Sequence, residues 1–263
     1  MFRNGLVGSV RTEDRILQCR RTSSDIDHIL SSASGELASQ DEHVDVAVMK
    51  PWGSEYLLYS GISSALWVLS LREGQMTSMH CHQYKSTCLV VARGAVMCAT
   101  LGGSVRRNVG DVLCIDAGVF HQTGAPEGDA VVIELETPPA KNDLLRLHDI
   151  YGRAGSCYEG SAAYKPLPEH TTICRADCEE LVVCRSLDHA RMEFFRPASA
   201  SGRQRIEGLD GRELVLLLEG ADITMPSGWL AGVGFCCRAS EVQSGVRWSS
   251  DSLVALISLP TEA

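Results

Sequence analysis

Three of the eight histidines in this chain stand at spacings that suit metal chemistry: His80 and His82 at i, i+2, and His121 about forty residues further on, just past Gly118. On a strand, residues i and i+2 face the same side. If that side is the inside of a small β-sandwich or barrel, both imidazoles can point at one ion, and a third from a neighbouring strand completes a facial triad. Neutral imidazole nitrogens bind zinc at about 2.0–2.1 Å and suit other divalent transition metals, so the residues name a ligand set and leave zinc, iron, manganese or nickel open. Lys85 and Thr87 follow closely enough to be substrate-binding candidates. An ammonium at the mouth of such a site can hold a phosphate or carboxylate, although a lysine between two strands reads first as a solvated turn residue. Glu134 and Glu136 share one face of an apolar run and could move a proton if that face is internal, or form a solvated edge if it is not. Cys81, between two inward histidines, should point outward and act as packing.

The elements needed to position such a triad are short strands, and the sequence is written in them. From residue 44 onward, apolar or alternating runs at 55–59, 65–71, 88–92, 95–101, 112–115 and 130–136 are separated by Gly, Asn, Asp and Pro, with no helical pattern of ten or more residues between them. The 24 Gly against 9 Pro in 263 residues fit a chain rich in tight turns. The expected fold is all-β, an antiparallel sandwich or barrel. Strand grammar resumes after residue 167, at 181–184, 192–195, 213–217, 221–224 and 253–259. The phrase Glu213-Leu-Val-Leu-Leu-Leu-Glu-Gly220 parallels Thr87-Cys-Leu-Val-Val-Ala-Arg-Gly94 in length, strand and terminal glycine, which suggests two related β units in tandem. Four regions follow: a polar, partly disordered extension over 1–40, a histidine-bearing β unit over 41–140, a linker or crossover over 141–165, and a second β unit over 166–263. A short helix is expected near Ser24 with Ile26, Ile29 and Leu30 on one side, and one or two helical turns over 142–151.

Composition excludes several classes. With 44% hydrophobic and 22% charged residues the chain is not a disordered one, and no apolar run approaches the roughly 20 residues of a membrane-spanning helix. A net charge of −9 opposes a protein that coats nucleic acid by neutralising phosphates. Eleven cysteines is an odd count in a long chain whose first residues lack a secretory apolar core, so a reducing, cytoplasmic setting is expected. Cys88, Cys98, Cys114, Cys184, Cys236 and Cys237 lie in apolar runs and read as small buried hydrophobes. Cys174 and Cys178 offer only a weak structural zinc site.

The segment around the histidines resembles a cupin. That family's first motif, Gly, five residues, His-x-His, then Glu and a Gly seven residues after it, is matched by Gly74, His80, His82 and Gly94, with Thr87 at the Glu position. Its second motif is matched by Gly110, Gly118 and His121, with Asp116 in place of Pro and Ala125 in place of Asn. The resemblance implies a jelly-roll barrel with a metal on His80, His82 and His121. With the internal repeat it implies a tandem pair whose second barrel is degenerate and metal-free. Lys50-Pro-Trp-Gly53 before the barrel and Leu147-His-Asp-Ile-Tyr-Gly-Arg153 after it are similar to signatures of the cupin domains of type II mannose-6-phosphate isomerases and related sugar-nucleotide proteins. That likeness implies a sugar or sugar phosphate as ligand, isomerase or epimerase chemistry, and a possible homodimer. Replacing the carboxylate by a Thr hydroxyl leaves three neutral ligands, which weakens retention of an ion and favours anionic ligands on it. Two other readings are a non-catalytic sugar or nucleotide-sugar binding module and a three-histidine iron dioxygenase.

Overall fold

The computed structural model describes residues 15–32, 43–140, 143–153, 159, 161–168, 174–175, 182–187, 190–243 and 245–259. They form two compact units, the first made of 1–56, 68–134 and 140–166, the second of 57–67, 135–139 and 167–263. The elements in chain order begin with β1 (Ile16–Cys19), helix α1 (Ser23–Leu30), β2 (Val46–Lys50), β3 (Gly53–Ser60), β4 (Ala65–Leu71), β5 (Met79–Cys81) and β6 (Ser86–Arg93). They continue with β7 (Ala95–Thr100), β8 (Gly103–Asn108), β9 (Val112–Ile115), β10 (His121–Gly124), β11 (Ala130–Thr137), β12 (Leu145–His148) and β13 (Tyr164–Pro166).

Pairing within β4 to β11 is nested. β7 pairs with β8, β6 with β9, β5 with β10 and β4 with β11, and these pairs fall by turns on two sheets ordered β12-β5-β10-β7-β8 and β1-β9-β6-β11-β4-β3-β2-β13. One long antiparallel hairpin rolled over two sheets in this way is a jelly roll of the cupin type. The tight connections of the roll fall at glycines. At the end of β6 the chain turns through Gly94 at φ 70°, and a Cβ there would lie 2.5 Å from the Asp129 carbonyl oxygen. The β unit is therefore mostly β, as the strand grammar implies.

The described parts of the flanking segments form elements of their own. Residues 16–19 add β1 in parallel to β9, with Ile16 opposite Val112. The expected helix forms over Ser23–Leu30, started by a capping box in which Thr22 and Asp25 bond each other. Of its apolar residues, Ile26 and Leu30 are 44% and 79% exposed and only Ile29 is half-buried, beside Gly118. Its one fully buried residue is Asp25. Residues 145–148, expected as a helical turn, instead form β12, antiparallel to β5. A free strand edge on β5 supplies long-range hydrogen bonds that no local propensity records. β13 likewise pairs with β2, so 141–165 contributes strands to the first unit.

The second unit holds β14 (Cys174–Arg175), β15 (Val182–Leu187), β16 (Ala190–Phe195), helix α2 (Ala200–Glu207), β17 (Leu214–Glu219), β18 (Ile223–Thr224), β19 (Leu230–Ala231), β20 (Cys236–Arg238), helix α3 (Ala239–Val242) and β21 (Leu253–Ser258). Its sheet runs β15-β16-β21-β17-β20, and β18-β19 is a separate hairpin. Phe195, Val215, Leu217, Val254 and Leu256 lie in its core. β17 ends at Gly220 with φ 108°, where a Cβ would meet Ser252 N at 2.8 Å. The two strands of the sequence repeat thus end in the same device.

Candidate metal centre

The roll brings the three histidines to adjacent strands. His121 opens β10 directly opposite His80 on β5, and Arg146 on β12 is opposite His80 from the other side, so His121, His80 and Arg146 form one cross-strand row. His82 lies just past β5 on the same face as His80. One nitrogen from each imidazole falls within 4.8 Å of the others, and the ring centroids are 4.5–5.6 Å apart. His82 and His121 are buried and His80 is half-buried, which leaves the His80 side as the approach.

Backbone carbonyls fix which nitrogen is available. Nδ1 of His80 bonds the Ser78 carbonyl at 2.8 Å, Nδ1 of His121 bonds that of Val119 at 2.9 Å, and Nδ1 of His82 bonds that of Asp143. A carbonyl oxygen only accepts, so each Nδ1 carries the proton and each Nε2 is left with a lone pair. Protonation would spoil this arrangement and is opposed by the surroundings. Burial, then the neighbouring His121, Lys85 and Arg146, holds His80 well below the usual 6.5. Burial, then Lys85 and the other two rings, does the same for His82. Burial lowers His121 to about 4, although the Val119 carbonyl and Asp25 pull the other way. Three neutral rings with their protons turned outward and lone pairs turned toward one another fit a divalent cation.

Two carboxylates hold this cluster, and neither was visible as a site residue in the sequence. Asp143 receives the N–H groups of Gln83 at 2.9 Å, Tyr84 at 2.6 Å and Lys85 at 2.9 Å on its side chain, while its carbonyl holds His82. It thereby orders the whole loop after His82. Asp25 of α1 receives the Phe120 N–H at 2.9 Å, one residue before His121, while its other oxygen takes the Thr22 N–H and hydroxyl. Their only sequence signals were the capping pattern at Thr22–Asp25 and an acidic residue after the 138–139 Pro pair.

The other candidates are placed as follows. Lys85 is not a solvated turn residue: it is 2% exposed and its charge bears on all three histidines. Thr87 is on β6, opposite Ile115, with a buried hydroxyl that has no hydrogen-bond partner among the described residues. An oxygen in that state is a poor end point for a fold and a reasonable one for a ligand. Glu134 and Glu136 are buried on β11, not on a solvated edge. Cys81 is fully buried and its thiol is pushed up to about 12 by burial, which agrees with packing. Cys88, Cys98, Cys174, Cys236 and Cys237 are buried too, whereas Cys114 is half-buried; Cys178 lies outside the described residues, as does the side chain of Cys184.

The two phrases that bracket the barrel meet each other. Glu159 accepts from Lys50 and, at 2.7 Å, from Arg153, whose guanidinium also holds Asp149 at 2.8 Å. Tyr151 donates to the Gln75 side chain at 2.8 Å. Gly53 is required by packing, since a Cβ there would sit 1.8 Å from the Ser70 carbonyl oxygen. In this chain those residues staple β2, the loop before β5 and the segment after β12.

No family model matches the chain, and no curated protein matches it. Among solved structures it is similar to KdgF from Halomonas sp., at 21% identity over 40% of this chain and 95% of that one, with a TM-score of 0.34. It is also similar to a cupin-like protein from Thermotoga maritima, at 21% identity over 46% and 90% of the two chains (TM-score 0.33), and to a sugar phosphate isomerase of the cupin superfamily from Silicibacter pomeroyi, at 16% identity over 40% and 76% (TM-score 0.32). The cupin-type fold stated above rests on this chain's own strand pairing.

Proposed function

We propose that the first unit is a metal-dependent cupin acting on a sugar or sugar phosphate, as an isomerase or epimerase. The observation that carries the proposal is the set of three Nε2 lone pairs, each fixed by a carbonyl on Nδ1, with Lys85 and Arg146 beside them. His80, His82 and His121 would hold a divalent ion, with the Thr87 hydroxyl as a neutral neighbour where cupins carry Glu. Such an ion supplies Lewis-acid polarisation of a carbonyl or hydroxyl oxygen. The chain's own residues do the rest. Lys85 and Arg146 give the pocket positive charge without a carboxylate among the ligands, which favours an anionic ligand such as a phosphate ester or sugar acid. The half-buried His80 marks the side from which it enters, and the buried walls around His82 and His121 exclude water.

The test is a panel of aldoses, ketoses, their phosphates and sugar acids offered to metal-loaded protein, read by turnover and by thermal stabilisation. Conversion between isomers or epimers supports the proposal. Stabilisation without conversion selects the non-catalytic sugar-binding reading instead. Oxygen uptake with a substrate selects the dioxygenase, and metal-loaded protein that neither binds nor converts any of them contradicts a carbohydrate role.

A further inference from the structure

The sulfurs of Cys88 and Cys114 lie 3.3 Å apart across β6 and β9, and the two residues are directly opposite in register. The ladder's parity makes this a favourable place for a covalent bond. Val91 N–H donates to the Asp111 carbonyl, so by alternation 89/113 and 87/115 are the hydrogen-bonded pairs and 88/114 a non-hydrogen-bonded one, whose Cα atoms approach to about 4.5 Å. That is inside the range of about 4.4–6.8 Å that disulfides span. The face is settled as well. Cys88 points away from Thr87 and the face bearing it, and Gln18, the register partner of Cys114 on β1, shares the outer face, so the adjacent Cys19 points the other way.

We propose that Cys88 and Cys114 are a reversible disulfide site, closed by hydrogen peroxide and reopened by a dithiol. Cys114 is the entry point because it is half-buried, while Cys88 is buried behind it. Its thiol is also the one drawn below the usual range, by the hydrogen bond that Cys88 donates to the thiolate. The comparison within the chain is informative: burial pushes Cys19 up to about 11 and Cys81 and Cys98 up to about 12. Thiolate character and access together select the reacting sulfur. The Cys114 thiolate attacks one peroxide oxygen, the O–O bond breaks, and hydroxide leaves to give Cys114 sulfenic acid. Cys88 sulfur then attacks the Cys114 sulfur, the S–S bond forms, and the S–O bond breaks with loss of a second hydroxide. The two hydroxides take up the two thiol protons as water. Two thiols are oxidised and one peroxide is reduced to two waters, and exchange with a dithiol reverses the change.

The test uses the full chain. After peroxide treatment and alkylation, tryptic mapping without reduction isolates the peptide 86–93, whose one cysteine is Cys88, and the peptide 108–141, whose one cysteine is Cys114. The expected result is a single linked species of these two peptides, lighter by two hydrogens and separated again by dithiothreitol. Recovery of both peptides singly alkylated, of Cys114 as sulfinic acid, or of either cysteine linked elsewhere would overturn the proposal. In Cys88→Ala the same treatment should leave a Cys114 sulfenic acid that dimedone captures, and alkylation of Cys114 at neutral pH should slow about threefold or more. Unchanged alkylation with no captured sulfenic acid counts equally against it.

Discussion

Each unit has a sheet with the same strand order, and the two differ in what is hung on it. In the first, β4, β11, β6 and β9 are neighbours in that order; in the second, β16, β21, β17 and β20 follow the same order with the same chain sequence. Between β4 and β6 the first unit inserts β5, which carries His80 and leads into His82. Between β16 and β17 the second inserts helix α2. Between β9 and β11 the first inserts β10 with His121, where the second has helix α3 between β20 and β21. The retained sheet is scaffold, and the replaced strands are where the chemistry lies. Polar groups are also managed differently. In the second unit Arg205 of α2 bridges the buried Glu193 at 2.6 Å and Glu213 at 2.9 Å, so these three side chains satisfy one another. In the first, one nitrogen of each of three imidazoles lies within 4.8 Å of the others, and the Thr87 hydroxyl has no hydrogen-bond partner among the described residues. A closed network serves the fold, whereas an open one awaits a ligand.

This contrast can be broken most forcefully at the ligands. His121→Ala should abolish any metal-dependent rise in the thermal midpoint, because two imidazoles remain where structural and catalytic sites use three or four ligands. A full metal-dependent rise in the variant would remove His121 from the set. In the second unit, Leu217→Ala, at 1% exposure, should cost about 2–5 kcal/mol in denaturant unfolding while leaving the metal content of the folded protein unchanged. Loss of metal there would mean that the units do not divide scaffold from chemistry in the way described.

Asp143→Ala should weaken metal binding by about 10–100-fold, since it frees the 83–85 loop behind His82, and competition with a chelator measures it. A smaller effect comes from the matched glycines. Gly94→Ala and Gly220→Ala should each destabilise by about 1–3 kcal/mol, and by similar amounts, if both strands end in the same backbone device. Acid sharpens the comparison further. Unfolded histidine titrates near 6.5 while folded His121 stays neutral to about 4, so between those values the unfolded chain binds more protons. The metal-free first unit should lose stability as pH falls from 6.5 to 4. Proteolysis of the metal-free protein across pH, followed at cleavage sites in the first unit, would record the loss.

Much of this was legible in the sequence because it is local. The strand runs, the glycine-ended repeat over 87–94 and 213–220, and the i, i+2 histidines depend on side chains a few residues apart. What was not legible depends on distant partners. Residues 145–148 become a strand because β5 offers an edge, and 16–19 because β9 does. Asp143 and Asp25 matter through backbone N–H groups about sixty and ninety-five residues away, and a single carboxylate carries no mark of such a role. Lys85 looked solvated because loop lysines usually are; the Asp143 loop closure puts it inside. The Lys50–Gly53 and Leu147–Arg153 phrases resemble a family's ligand-related signatures, and the structure ties them to each other through Glu159.

The most direct measurement is elemental analysis of the purified full chain beside the His80→Ala/His82→Ala/His121→Ala variant, both checked for native strand content. The account predicts about one divalent transition metal per chain in the first and background in the second. A wild-type chain that stays metal-free after exposure to zinc, iron, manganese and nickel, or a triple variant that keeps its ion, would contradict it.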